Sequence, residues 1–378
     1  MENTFKQCCV NITRNCNMKC KWCYLNKEIP GSGDIPSIST DTYKHLIDLI
    51  SPLNLDAFNI IWGEPTVSPN LTNFIKTAKD YGLKYVSITT NWIKLYEEKY
   101  IKDLKDSGLD AIHFSLKAWD DLSMRKTTEY HSFENVKIAL ENCKKYDFEF
   151  SIFIVLSKWD IDDIVHMTQV AVSAGVDYIG FIAYDEYNPS LKKDEKFFEK
   201  NDPNYIIKKF SENYDEINRI TQGKFTLYLS YPLCILDEHI LNKLIKNKQT
   251  ASICPIVKRY TITVDCDGSI FPCNVICDKK VLNANIKDFK TSEDLTNWWN
   301  NNSNLEIYNK LRRLPSIKCI NCKYKEYCGW GCVCQRTNYS YDELIEWKII
   351  NAVKDEVFLN KIDHDDIRYK NVYKYNLM

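Results

Sequence analysis

The chain has 378 residues, 44% hydrophobic and 27% charged, a length and mixture that predict two or three globular domains. Its net charge of −1 excludes a nucleic-acid binder held by phosphate neutralisation, and no apolar run or signal core suggests a membrane or secreted protein, so a cytoplasmic chain is expected. Its 16 Cys point, in a reducing compartment, to metal rather than disulfides.

From the N-terminus, apolar runs rich in β-branched residues predict strands at Cys8–Thr13, Phe58–Trp62, Tyr85–Thr90, Ala111–Leu116, Glu149–Leu156 and Tyr178–Ala183. Between them the apolar period is helical. Tyr43, Leu46, Ile47 and Ile50 follow the cap candidates Ser39 and Thr40. Leu71, Phe74, Ile75 and Ala78 end at Gly82, Tyr100, Ile101 and Leu104 at Gly108, and Ile161, Ile164, Val165 and Thr168 at Gly175. A glycine just past the last periodic residue is a stop signal.

Six βα units in series predict an α/β fold, a parallel sheet with right-handed crossovers closing into a partial (β/α)6 TIM-like barrel. Such folds keep their chemistry in the loops after the strands. This core is expected over residues 1–184. A Lys- and Asn-rich connector over 185–253 carries predicted helices at Asp194–Ile220 and Leu236–Lys246 and a strand at Phe225–Leu229. A small cysteine-rich domain follows over 254–340, where Asp267-Gly268 between Arg259–Asp265 and Ile270–Cys273 signals a β-hairpin. The tail, 341–378, is predicted helical at its start.

The cysteines fall in two groups. Cys16, Cys20 and Cys23 share one loop after strand one. Cys254, Cys266, Cys273, Cys277, Cys319, Cys322, Cys328, Cys332 and Cys334 lie near the C-terminus. Cys8, Cys9, Cys143 and Cys234 stand outside both and are read as core residues, Cys143 on a helix face with Phe133, Val136 and Leu140. Three thiolates hold a cubane iron–sulfur cluster while leaving its fourth iron open, and an open position makes a metal site catalytic. Zinc is the plainer alternative, but no fourth Cys or His stands near the triplet.

Cys16-x3-Cys20-x-Trp22-Cys23 after the first strand resembles the cluster motif of the radical S-adenosylmethionine (radical SAM) superfamily. The resemblance implies a [4Fe–4S] cluster on these cysteines, with SAM on the open iron and Trp22 beside it. Reductive cleavage of SAM to a 5′-deoxyadenosyl radical and hydrogen abstraction from a substrate are the implied chemistry. Gly63-Glu64-Pro65 resembles the family's GGEP motif, which meets the SAM amino group, with Trp62 in place of the first Gly. Ser115, near the end of strand four, stands where relatives contact the ribose, and Asn91 where they carry a TNG-like turn, with Trp92 replacing its Gly.

Cys254-x13-Gly268-x4-Cys273 and Cys319-x2-Cys322-x5-Cys328-x3-Cys332 resemble the SPASM extension of radical SAM enzymes, which binds two auxiliary iron–sulfur clusters. By position, Cys254, Cys273 and Cys332 would hold one cluster and Cys319, Cys322 and Cys328 the other. Cys334 is the candidate fourth ligand of the second; Cys277 or Cys266, or an open site, would complete the first. A zinc ribbon over Cys319–Cys332 is the alternative. Trp330 reads as core filler, and Trp119 and Asp120 acquire no role from spacing.

Members of this subfamily mostly modify peptides, so the expected reaction is radical modification of a ribosomal peptide by crosslinking, epimerisation or oxidation. A small metabolite such as a sugar or nucleoside is the second expectation, and a non-catalytic zinc or iron–sulfur protein the non-enzyme alternative. Sulfatase maturation is disfavoured: Asn274 follows Cys273 where those enzymes carry Asp, and an amide cannot act as a base. Expected partners are a peptide, an electron donor such as flavodoxin or ferredoxin, and a separate leader-peptide-binding protein, because only 15 residues precede Cys16.

Overall fold

The structure, a computed structural model, describes residues 5–23, 37–183, 202–251, 259–276, 279–301, 319, 322–328 and 331–332. The chain falls into two compact units, residues 1–152 with 255–310 and 377–378, and residues 153–254 with 311–376.

In the first unit the strands are β1 (Gln7–Asn11), β2 (Ala57–Ile61), β3 (Val86–Thr90) and β4 (Ala111–Leu116), parallel neighbours in that order, with Cys9 beside Asn59 and Thr89 beside His113. β5 (Glu149–Leu156) begins in this unit. Every residue of β1, β2 and β4 is buried, as expected of strands covered on both faces. The covering helices are α1 (Thr40–Ile50), α2 (Leu71–Asp80), α3 (Glu98–Asp106), α4 (Asp121–Thr128) and α5 (Glu134–Lys145). In α1, Ser39 Oγ accepts from Thr42 N at 3.1 Å, a cap that orients Tyr43, Leu46, Ile47 and Ile50 inward. The Tyr43 ring stacks on Phe74 of α2 at 4.2 Å, and its hydroxyl donates to the Phe74 carbonyl at 2.8 Å.

The predicted hairpin is present as β9 (Thr261–Val264) and β10 (Ile270–Phe271), with Gly268 at φ 85° in the turn. β9 also pairs in parallel with β1, Gln7 beside Thr261, so the hairpin extends the core sheet. α4 was not among the predicted helices. Its apolar content is low, and it is set by a capping box in which Asp120 Oδ1 accepts from Ser123 N at 2.7 Å.

In the second unit β6 (Tyr178–Ala183), β7 (Phe225–Tyr228) and β8 (Thr250–Ala251) are parallel neighbours. Phe181 packs edge-on against Phe210 and Phe225 at 5.7 and 5.5 Å. The single helix predicted over Asp194–Ile220 is corrected within the described residues to two, Pro203–Glu212 and Tyr214–Ile220. Asn213 parts them, its side-chain amide turned back onto the Lys209 carbonyl at 2.8 Å. The predicted strand at Phe225–Leu229 and helix at Leu236–Lys246 appear as β7 and Glu238–Lys246. Tyr341–Met378 lies outside the described residues. No helix among the described residues is long and apolar enough to cross a membrane.

Candidate functional site

The loop after β1 carries the first cysteine group. Thr13 Oγ1 accepts from Asn15 N at 3.2 Å, turning the chain at the strand's end. Lys19 N and Lys21 N donate to the Thr128 and Thr127 carbonyls, each at 3.1 Å, so the C-terminal end of α4 carries this loop. Asp120 thereby gains a structural role, as the cap of the helix under the cysteines. Cys16 is exposed, Cys23 half-buried and Cys20 buried, with Trp22 buried beside them.

Gly63-Glu64-Pro65 after β2 packs directly on this loop. Glu64 N donates to the Asn15 carbonyl at 2.8 Å. Gly63 sits at φ 51°, and a Cβ there would lie 2.3 Å from the Thr13 carbonyl oxygen and 2.6 Å from that of Asn15. Only glycine fits this close approach. Glu64 is 1% exposed. Its Oε1 accepts from Thr66 N at 3.1 Å, Thr66 Oγ1 at 2.6 Å and Thr90 Oγ1 at 2.6 Å, while Oε2 accepts from Asn91 N at 2.6 Å. Burial raises the carboxyl pKa and these donors oppose it.

Asn91 joins the two loops: its side-chain amide donates to Asn17 Oδ1 at 2.7 Å and to Cys16 Sγ at 3.7 Å. Trp92 is fully buried, and its indole N–H donates to the Ser115 carbonyl at 3.1 Å. The two tryptophans that replace family glycines keep a glycine-like backbone, Trp62 at φ 69° and Trp92 at φ 61°.

Lys117 is the residue sequence reasoning passed over. Its ammonium donates to Ser115 Oγ, and its charge favours the thiolate forms of Cys16 and Cys20. Burial pushes the Cys20 thiol up to about 11, and burial also raises Cys16. The neighbouring thiols of Cys23 and Cys16 add to burial in raising Cys20. The signal for Lys117 in the sequence is a basic residue directly after β4, two positions past Ser115.

Among the described residues no three His, Cys, Asp or Glu side chains converge as a single ion requires. A cubane cluster binds each thiolate at a different iron, so its ligands stand apart. The donor set fits that group: three thiols on one loop, an amide N–H on one sulfur and a cation nearby. Glu64 fits the amino group of SAM, because three donors crowd Oε1 while Oε2 holds one and keeps an acceptor position.

In the C-terminal group, backbone N–H donors point at sulfurs: Val275 N on Cys273 at 3.4 Å, Tyr324 N on Cys322 at 3.4 Å and Leu233 N on Cys328 at 3.3 Å. Such bonds stabilise thiolates and tune iron–sulfur potentials. Cys319 is buried and Cys332 half-buried. Cys266 instead points into a buried network, where Asp265 Oδ1 takes hydrogen bonds from Asn11 Nδ2 at 2.6 Å and Arg14 Nε at 3.3 Å. Burial pushes its thiol up to about 12. Cys254, Cys277, Cys334 and Trp330 lie outside the described residues.

Residues 10–171 match the model of the Radical SAM superfamily. That match spans under half of the chain, and over those residues the chain is similar to the radical SAM enzymes. A probable GTP 3′,8-cyclase of Methanococcus maripaludis is 33% identical over 132 residues, covering 35% of this chain and 43% of that protein. The chain thus spans under half the length of the curated relative it matches there. A PqqA peptide cyclase of Bradyrhizobium diazoefficiens is 20% identical over 86% of this chain and 80% of its own. In fold, native anSMEcpe with bound AdoMet matches with a TM-score of 0.66 at 17% identity, over 90% of this chain and 96% of that one. Streptococcus suis SuiB bound to precursor peptide SuiA matches with a TM-score of 0.61 at 17% identity, over 88% and 72%. This likeness in fold covers more of the chain than residues 10–171.

Proposed function

We propose that the chain abstracts hydrogen from a peptide substrate in ribosomal peptide maturation. Bound at Cys16, Cys20 and Cys23, the cluster and SAM would supply a 5′-deoxyadenosyl radical by reductive cleavage of the sulfonium. The carrying observation is that two strand ends bear on the loop after β1: Gly63 and Glu64 from β2 and Asn91 from β3 all meet the loop of Cys16.

The chain's own residues bind and orient. Glu64 holds an acceptor toward an ammonium, anchored by Thr66, Thr90 and the Asn91 backbone so that it cannot swing away. The Asn91 amide fixes the Cys16 sulfur, and Lys117 balances the negative charge that three thiolates bring. Ser115 and Trp22 would be neighbours of SAM, and Pro65 starts the short turn that follows Glu64. Two auxiliary clusters on the C-terminal cysteines would relay electrons to or from the substrate, with a flavodoxin or ferredoxin as donor and a separate protein presenting the peptide leader.

The peptide reading draws support from the PqqA cyclase and the SuiB–SuiA pair. A nucleotide substrate is the second reading, favoured by the GTP cyclase relative. The test is isotope transfer: the chain, SAM and dithionite are incubated with a deuterated peptide encoded beside its gene, and separately with deuterated GTP. Deuterium in 5′-deoxyadenosine from the peptide alone is expected. Transfer from GTP alone overturns the peptide reading.

A further inference from the structure

We propose that Cys234 is the fourth protein ligand of the auxiliary cluster whose other ligands are Cys319, Cys322 and Cys328. The proposal rests on the iron–sulfur reading above and replaces Cys334 at that cluster.

The first observation is position. Leu233 N donates to Cys328 Sγ at 3.3 Å, so the residue before Cys234 already touches a sulfur of the group. Bond lengths then put the Cys234 Cα within about 5 Å of that nitrogen. The segment is pinned on its other side too. Cys332 N donates to the Ser230 carbonyl at 2.6 Å. Gly331, at φ 81°, lies so close that a Cβ would stand 2.8 Å from the same oxygen. The turn Leu233–Ile235 is closed by Ile235 N on the Pro232 carbonyl at 3.1 Å, so the backbone that presents Cys234 is held against the cysteine group.

The second observation separates two kinds of cysteine in this chain. Cys8, Cys9 and Cys143, the thiols that fill the core, are 0%, 2% and 0% exposed. The ligand candidates lie further out: Cys20, Cys319 and Cys328 keep 8%, 6% and 7% exposure, and Cys234 is half-buried, as are Cys23, Cys273, Cys322 and Cys332. Its neighbours Leu233 and Ile235 are buried, so the turn anchors itself through them and leaves the sulfur at the boundary. A cysteine used as a small apolar residue belongs inside. Each thiol must lose a proton to bind iron, and four thiolates complete a cubane, as a cluster that conducts electrons without binding substrate requires.

The test uses the full chain loaded anaerobically with iron and sulfide. Native alkylation with iodoacetamide, followed by peptide mapping, reads every thiol. Cys234 should stay unlabelled in the loaded chain and react once a chelator and oxidant strip the iron. Labelling of Cys234 in the loaded chain at the stripped rate, or protection of Cys334 in its place, overturns the proposal. A second arm needs no labelling. In the background Cys16→Ala, Cys20→Ala and Cys23→Ala, the change Cys234→Ala should remove about four iron atoms per chain or convert one cluster to a three-iron form seen by EPR. Unchanged iron and Mössbauer spectra in a folded variant overturn the assignment. If the variant fails to fold, the labelling arm decides. A chain that takes up no iron at all overturns the iron–sulfur reading as well; one that cleaves SAM with Cys234 labelled overturns this assignment alone.

Discussion

Trp62 packs against Phe271, ring centroids 5.9 Å apart, and this contact holds a tryptophan in a backbone conformation suited to glycine, φ 69°. Cys9 and Ile61 complete the cluster around the two rings. The hairpin therefore clamps the residue next to Gly63 in the loop after β2.

Trp62→Gly removes strain and packing together. Relief of the left-handed backbone is worth up to about 1 kcal/mol, and loss of a buried tryptophan costs about 3–5 kcal/mol. The variant should therefore be destabilised by roughly 2–4 kcal/mol in urea unfolding. A variant as stable as the parent would show that the ring contributes nothing.

Gly63→Ala tests the close approach between the two loops. A methyl group 2.3 Å from the Thr13 carbonyl oxygen must displace the backbone that leads into Cys16. Iron bound by the N-terminal site should drop while the C-terminal iron remains, as counted in chains with and without Cys16, Cys20 and Cys23. Full loading of the N-terminal site in Gly63→Ala contradicts this.

Asn91→Leu removes the amide donor from Cys16 Sγ while keeping the side chain's bulk. Loss of such an outer partner costs about 10–100-fold in metal affinity or activity, so SAM cleavage should fall within that range. The change in the cluster's midpoint potential distinguishes this from a folding defect.

Much of this arrangement was readable from residue spacing, and part was not. The strands at Ala111–Leu116, Glu149–Leu156 and Tyr178–Ala183 match their observed bounds; Asp110 and Lys117 bracket the first, Ser157 follows the second and Asp177 precedes the third. The cysteine triplet and Glu64 were legible because their spacing is local. The pairing of β9 with β1 was not, since the residues involved lie some 254 positions apart and no local pattern encodes such a partner. The same distance hides Arg14 and Asp265, a buried ion pair. Trp62 and Trp92 looked like departures from glycine positions; their backbones show that the conformation stayed and packing absorbed the strain.

Asp265→Asn probes that pair. Asp265 has no exposed side-chain surface and Arg14 has 17%, so the change leaves a largely buried guanidinium without its charge partner. A loss of about 3–5 kcal/mol is expected. Salt should hardly alter it, because a buried pair is poorly screened. A small, salt-sensitive effect in denaturant titrations would show that the pair behaves as a surface contact.

His113 gives the pH dependence its sign. Burial lowers its pKa from 6.5 to about 3, while Nδ1 lies 2.7 Å from Ser151 Oγ. The unfolded chain takes up this proton below about 6.5 and the folded chain does not. Stability from this group is thus complete above pH 6.5 and is lost as pH falls toward 3, on the order of 4–5 kcal/mol in all. His113→Gln should flatten that part of the stability curve. An unchanged slope between pH 6.5 and 4 would assign it to other groups.

The account stands on an open iron held by Cys16, Cys20 and Cys23. The direct measurement is 5′-deoxyadenosine formed from SAM under dithionite by the anaerobically loaded chain, beside the chain with all three cysteines changed to Ala. The parent should form it, and the triple variant should form none while keeping its C-terminal iron. Equal formation by both, or a parent carrying only zinc and forming none, would contradict the account.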